Sequence, residues 1–123
     1  DRMNAEGLFE LQQQGDVTIV RFIASRILDN DTIQRMGDSL FQIVDQEGVH
    51  KLVINLGEVS FLSSAALNRL ILLKKKVLQR EGGLKLVGMT PEIRRVFEIA
   101  RLNTFFDILD DQATALEQLG RVD

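Results

Sequence analysis

The chain has 123 residues, a formal net charge of −3, 45% hydrophobic and 27% charged residues, a single histidine and no cysteine. That is the composition of one globular domain, and it excludes a disulfide framework, a thiolate zinc site, an iron–sulfur cluster and a cysteine nucleophile. His50 alone rules out a multi-histidine metal site, the mild acidity argues against a nucleic-acid module, and no apolar run approaches the roughly 20 residues needed to span a bilayer.

Along the chain, Leu8, Phe9 and Leu11 begin an apolar segment, and Gly15-Asp16 punctuates it before Val17, Ile19, Val20 and Phe22. Two such runs around a Gly-Asp turn predict a β-hairpin. The period then changes. Ile33, Met36, Leu40, Ile43 and Val44 fall at helical spacing. Asp31 followed by Gln34 has the spacing of a capping box, and Gly48 is a natural stop. The expected amphipathic helix covers residues from about 31 to 47.

Lys51-Leu52-Val53-Ile54-Asn55-Leu56 is nearly continuous in apolar residues, the pattern of a strand covered on both faces. Leu67, Leu70, Ile71, Leu73, Val77 and Leu78 mark a second helix, which ends in basic residues and then Gly82-Gly83. Lys74-Lys75-Lys76 point in different directions around it and read as a solvated helix end, not a binding patch. Leu84-Lys85-Leu86-Val87 is a short strand, and Thr90-Pro91-Glu92 opens a helix with the stripe Ile93, Val96, Phe97 and Ala100. Residues 105–109 predict a last strand. Asp110 or Asp111 caps a final helix carrying Ala113, Leu116 and Leu119. The seven phenylalanines read as core residues.

The order ββαβαβαβα predicts an α/β domain: a mostly parallel β-sheet, an antiparallel edge strand and about four helices. The working surface of such a sheet lies at the carboxyl ends of its strands. Two loops fall there, residues 24–31 and 57–65. Neither a dinucleotide fingerprint nor a phosphate-binding P-loop occurs. Asp29 and Asp31 read as helix caps before cation ligands, and His50 as a solvated turn residue. Nothing in the residues makes a case for catalysis.

The informative segment is Phe61-Leu62-Ser63-Ser64-Ala65-Ala66-Leu67. One of its serines reads as an N-cap. A hydroxyl there sits beside unpaired backbone N–H groups and the positive end of the helix dipole. A phosphate on it would be tolerated by the fold and would add roughly −1.5 to −2 charges at pH 7.

At this point the chain resembles the STAS domain family, over about Phe9 to Leu119 within a single domain spanning residues 1–123. The resemblance rests on Gly15-Asp16-Val17 through Phe22 with residues 27–32, on the Leu52 to Leu67 stretch, similar to a strand followed by D-S-S/T-G-L, on Gly82 to Gly88, and on Thr90-Pro91-Glu92-Ile93-Arg94-Arg95-Val96-Phe97. It implies a bacterial, cytoplasmic anti-sigma factor antagonist that binds an anti-sigma factor which is also a GHKL-type serine kinase. That binding frees a sigma factor. Phosphorylation of a serine at the start of the second helix then releases the antagonist, and a phosphatase resets it. The resemblance places the phosphoacceptor on Ser63, with Ser64 as the alternative. It places the partner-binding surface on Asp29, Leu62, Ser63, Ser64 and Asn68. On this placement Leu62 stands where the phosphorylated branch has Asp, and Ala65 where it has Gly.

The expected protein is therefore not an enzyme. It uses no cofactor or metal, binds no nucleic acid, does not insert into a membrane and is a monomer or weak dimer. Two alternatives stay open: a non-phosphorylated STAS scaffold or accessory subunit, in a stress-signalling assembly or a lipid or anion transport complex, and a small-ligand or nucleotide sensor.

Overall fold

A computed structural model describes residues 7–46 and 48–120 in full and the backbone of residues 2–4. The expected last residue of the first helix, residue 47, lies outside them. The elements run β1 (Arg2–Asn4), β2 (Phe9–Gln14), β3 (Val17–Phe22), β4 (Arg26–Ile27), α1 (Asn30–Asp45), β5 (Lys51–Asn55), β6 (Phe61–Leu62), α2 (Ser64–Gln79), β7 (Gly83–Val87), α3 (Pro91–Ile99), β8 (Asp107–Leu109) and α4 (Gln112–Gly120).

Six strands form one sheet in the order β1-β2-β3-β5-β7-β8. The hairpin β2–β3 turns at Gly15, whose φ of 62° suits a residue without a Cβ. From β3 onward every pairing is parallel. The predicted α/β architecture is present, with β1 added antiparallel at the edge.

Side-chain alternation explains the two layers. Leu52 and Ile54 of β5 face a large core with Phe9, Phe22, Met36, Leu40, Leu70 and Phe97, while Val53 faces a smaller one with Ile19, Val87, Ala115 and Leu119. α1 and α2 close the first face and α4 the second. β5 is therefore covered on both sides, as its near-continuous apolar run requires.

Four local readings are corrected. α1 is capped by Asp29, which accepts from the Thr32 N–H at 3.0 Å, and begins one residue before Asp31, which instead pairs with Arg35. Phe105 and Phe106 do not extend β8. Their N–H groups both bond the Leu102 carbonyl, at 3.1 and 3.0 Å, in a turn. In α4 the buried alanine is Ala115, whereas Ala113 is exposed. The lysine run is not simply solvated. The Lys74 ammonium donates to the Phe105 carbonyl and lies over the Phe105 and Phe106 rings, and Lys76 pairs with Asp45 at 2.8 Å.

Candidate functional site

Both candidate loops leave the carboxyl ends of adjacent parallel strands, β3 and β5. The Asn55 carboxamide oxygen accepts from the Gly57 N–H at 2.9 Å and so bends the chain out of β5. The two loops then pair with each other. β4 and β6 form a separate two-stranded parallel ribbon, with Arg26 opposite Phe61 and Ile27 opposite Leu62. The Ser60 and Phe61 N–H groups donate to the Ser25 carbonyl at 2.8 and 3.2 Å, and the Ser63 N–H donates to the Ile27 carbonyl at 3.1 Å. The Ser25 hydroxyl donates to that of Ser60 at 3.3 Å. No periodicity of ordinary length marks strands of two residues, so the sequence does not reveal this ribbon.

Each strand of the ribbon leads within two residues into a helix cap. Two residues past Ile27, Asp29 caps α1, and one residue past Leu62, Ser63 caps α2. The Ser63 hydroxyl accepts from the Ala66 N–H at 3.2 Å, satisfying one donor of the first turn. The Asp29 carboxyl is held below its ordinary value by the Thr32 hydroxyl and then the Thr32 N–H. It is therefore an anion at neutral pH, beside the positive end of α1.

The expected site residues now separate. Leu62 is largely buried and packs in the core, and its remaining exposed edge lines an open groove. Ser63 is half-buried and already engaged as a cap. Ser64 is exposed at the first helical position, and its hydroxyl has no hydrogen bond among the described residues. Asn68 is exposed one turn further along α2, on the same helical face as Ser64. Asp29, Ser64 and Asn68 thus reach the surface around the ribbon, and Ser63 orders it from beneath.

Of the apolar part of this surface, sequence reasoning named only Leu62 and missed the rest. Phe61 is 51% exposed and Leu28 42%. Phe61 is thus an exception to the reading of the phenylalanines as core. The Arg26 guanidinium lies 4.5 Å from the centre of the Phe61 ring, a cation–π contact. Leu28, Ser60, Phe61 and Leu62, together with Glu92, Ile93 and Val96 of α3, line an open groove of about 590 Å³. Its only sequence signal is an aromatic residue one step before a strand end that precedes a helix cap. Among the described residues no group of three or more acidic, histidine or cysteine side chains is placed to hold a metal ion, and no helix is long and apolar enough to cross a membrane.

Comparison with known proteins agrees with this architecture. BtrV of Bordetella bronchiseptica, named as an anti-sigma factor antagonist, is 28% identical over 89 residues, which are 72% of this chain and 76% of BtrV. The crystal structure of a Thermotoga maritima protein named in the same way superposes with a TM-score of 0.83 at 20% identity, covering 95% of this chain and 98% of that one. The Bacillus cell-fate determinant SpoIIAA in its phosphorylated form gives a TM-score of 0.69 at 19% identity, covering 94% and 99%. The two structures share the fold. The STAS domain family matches residues 9–115, and the chain belongs to that family.

Proposed function

We propose that this domain is an anti-sigma factor antagonist that acts by binding rather than by catalysis, and that phosphorylation of Ser64 switches it off. The observation that carries the reading is the division of labour between the serines. Ser63 spends its hydroxyl on the helix cap, while Ser64 offers an exposed, unbonded hydroxyl at the first turn of α2. The similarity to BtrV, SpoIIAA and the Thermotoga protein, each named as or with antagonists or their phosphorylated form, supports the same reading.

This moves the acceptor one position from Ser63. The family pattern D-S-S/T-G-L, laid without a gap so that its leucine falls on Leu67, sets its first serine on Ser64 and its aspartate on Ser63. Glycine then corresponds to Ala66, which is fully buried. Aspartate and serine are interchangeable as N-caps, so the lost acid keeps its backbone role. A phosphate on Ser64 would sit at the positive end of α2 and leave the fold intact while changing the charge of the docking surface. The partner under this reading is an anti-sigma factor of the GHKL serine-kinase type, with a phosphatase resetting the mark in the cytoplasm.

The test is incubation with the host's purified GHKL-type anti-sigma factors and ATP, read by intact mass and peptide mapping. One added phosphate is expected, retained in Ser63→Ala and lost in Ser64→Ala. Phosphate on Ser63 would return the acceptor to that residue. No added mass with any of the kinases would remove the switch, and no measurable binding would remove the antagonist reading.

A further inference from the structure

We infer that the groove between the β4–β6 ribbon and α3 is the anchor of this docking surface, and that it takes an amphipathic segment of the anti-sigma factor whose apolar residues are flanked by a lysine or arginine. The inference rests on the antagonist reading and specifies the chemistry of its partner. Two of the large apolar side chains exposed on the described surface, Leu28 and Phe61, line this one groove. Leaving both in water is unfavourable, and clustered exposure of this kind marks interaction surfaces. With Leu62, Ile93 and Val96 they make a trough that a row of aliphatic or aromatic side chains fills.

Charge selects the flank. Glu92 is the only ionisable side chain lining the groove, and it has no ion-pair partner among the described residues. The ribbon's own cation, Arg26, is held over the Phe61 ring and does not line the groove, so it leaves Glu92 without an ion pair. An incoming cation therefore meets an unpaired carboxylate at the groove wall, whereas an incoming anion meets repulsion. Place in the chain adds the link to the switch. Phe61 and Leu62 run directly into Ser63 and Ser64, so a segment seated in the groove lies against the ribbon that presents the proposed acceptor. One partner can then hold the apolar anchor while its kinase centre addresses the hydroxyl.

The experiment measures affinity by biolayer interferometry between the full chain and the purified host GHKL-type anti-sigma factor that binds it. The variants are Phe61→Ser, Glu92→Arg, Ser64→Glu and, as an exposed apolar control outside the groove, Ile99→Ser, which replaces a side chain 75% exposed. Thermal melts confirm that each remains folded. Truncating a central apolar anchor weakens binding about 30-fold, and reversing Glu92 weakens it about 10-fold. The control stays within about twofold of the parent. A charge reversal of one partner lysine or arginine restores binding to Glu92→Arg. If Ser64→Glu loses affinity while Phe61→Ser and Glu92→Arg bind like the parent, the groove assignment is overturned and the antagonist reading stands. If the parent binds none of the kinases, both fall. Self-association abolished by Phe61→Ser would assign the groove to a second copy of this chain and overturn the proposed occupant.

Discussion

The backbone N–H of Ser63 donates to the carbonyl of Ile27 at 3.1 Å, joining two loops that are 36 positions apart in the chain. The Ile27 side chain is fully buried. Ser63 is therefore tied at its N–H to a residue anchored in the core and at its hydroxyl to the first turn of α2. Ser64, one residue on, inherits a fixed backbone and an open side chain. The site is a hydrogen-bonded platform from which the Ser64 hydroxyl projects with no hydrogen bond among the described residues.

That division separates stability from modification. Ser63→Ala removes the cap and is expected to cost about 1 kcal/mol, a fall of about 4 °C in melting temperature for a domain of this size. Ser63→Asp keeps an N-cap acceptor and is expected to melt close to the parent. Ser64→Ala touches no hydrogen bond among the described residues and is expected to change stability by less than about 0.5 kcal/mol. Urea titration of the three variants checks the order. A larger loss for Ser64→Ala than for Ser63→Ala would reverse the assignment of cap and acceptor.

Acid stability follows from hydrogen-bonded carboxylates, two at helix starts and one in the β2–β3 turn. Hydrogen bonds from Lys51, from Thr32 and from Thr114 hold the carboxyls of Asp16, Asp29 and Asp111 below their ordinary values. A carboxyl whose folded pKa is depressed contributes stability above its unfolded pKa, near 3.8, and loses that contribution as pH falls through the folded value. The domain is thus expected to hold its melting temperature near neutral pH and to lose it below about pH 4. Asp29→Ala is expected to melt below the parent at pH 7 and to converge on it near pH 2. Melting curves across that range decide the matter, and an Asp29→Ala deficit that widens in acid would contradict the linkage.

The helices were legible because a period of 3.6 persists over many residues, as at Ile33, Met36, Leu40 and Val44. The ribbon was not, because β4 and β6 hold two residues each and owe their pairing to tertiary placement. The α1 cap was ambiguous locally. Asp29 with Thr32 and Asp31 with Gln34 offer the same spacing, and only the path out of β4 selects the first. Phe105-Phe106 has strand chemistry, but the turn at Leu102 reaches both N–H groups before β7 can. The serine pair announced the site, whereas the groove beside it is built from Leu28, Phe61, Ile93 and Val96, which are distant in sequence and carry no shared pattern.

The lysine run gives a contrast within one helix. The Lys74 ammonium is hydrogen-bonded to the Phe105 carbonyl and sits 4.7 Å from the centre of the Phe105 ring, while Lys75 is exposed. Lys74→Ala removes a charged hydrogen bond and a cation–π contact and is expected to cost about 1–2 kcal/mol. Lys75→Ala is expected to stay within about 0.5 kcal/mol of the parent. Denaturant midpoints for the pair test this, and equal effects would make Lys74 an ordinary surface lysine.

Gly82 joins helix end to sheet. The loop after α2 brings its backbone against the turn before β5, and the Gly83 N–H donates to the His50 carbonyl at 2.9 Å. A Cβ on Gly82 would lie 1.9 Å from the His50 carbonyl oxygen. Both atoms belong to or are fixed by backbone, so no rotamer change relieves the overlap. Gly82→Ala must displace the start of β7 from β5, and it is expected to cost more than about 2 kcal/mol although it adds a single methyl group. Gly48→Ala is a useful comparison. Its φ of 73° disfavours a side chain, yet nothing lies within 4 Å of the added carbon. It should lose only the left-handed backbone penalty of about 1–2 kcal/mol. A smaller loss in Gly82→Ala than in Gly48→Ala, measured by urea unfolding, would show that the β5–β7 junction yields where the close approach predicts that it cannot.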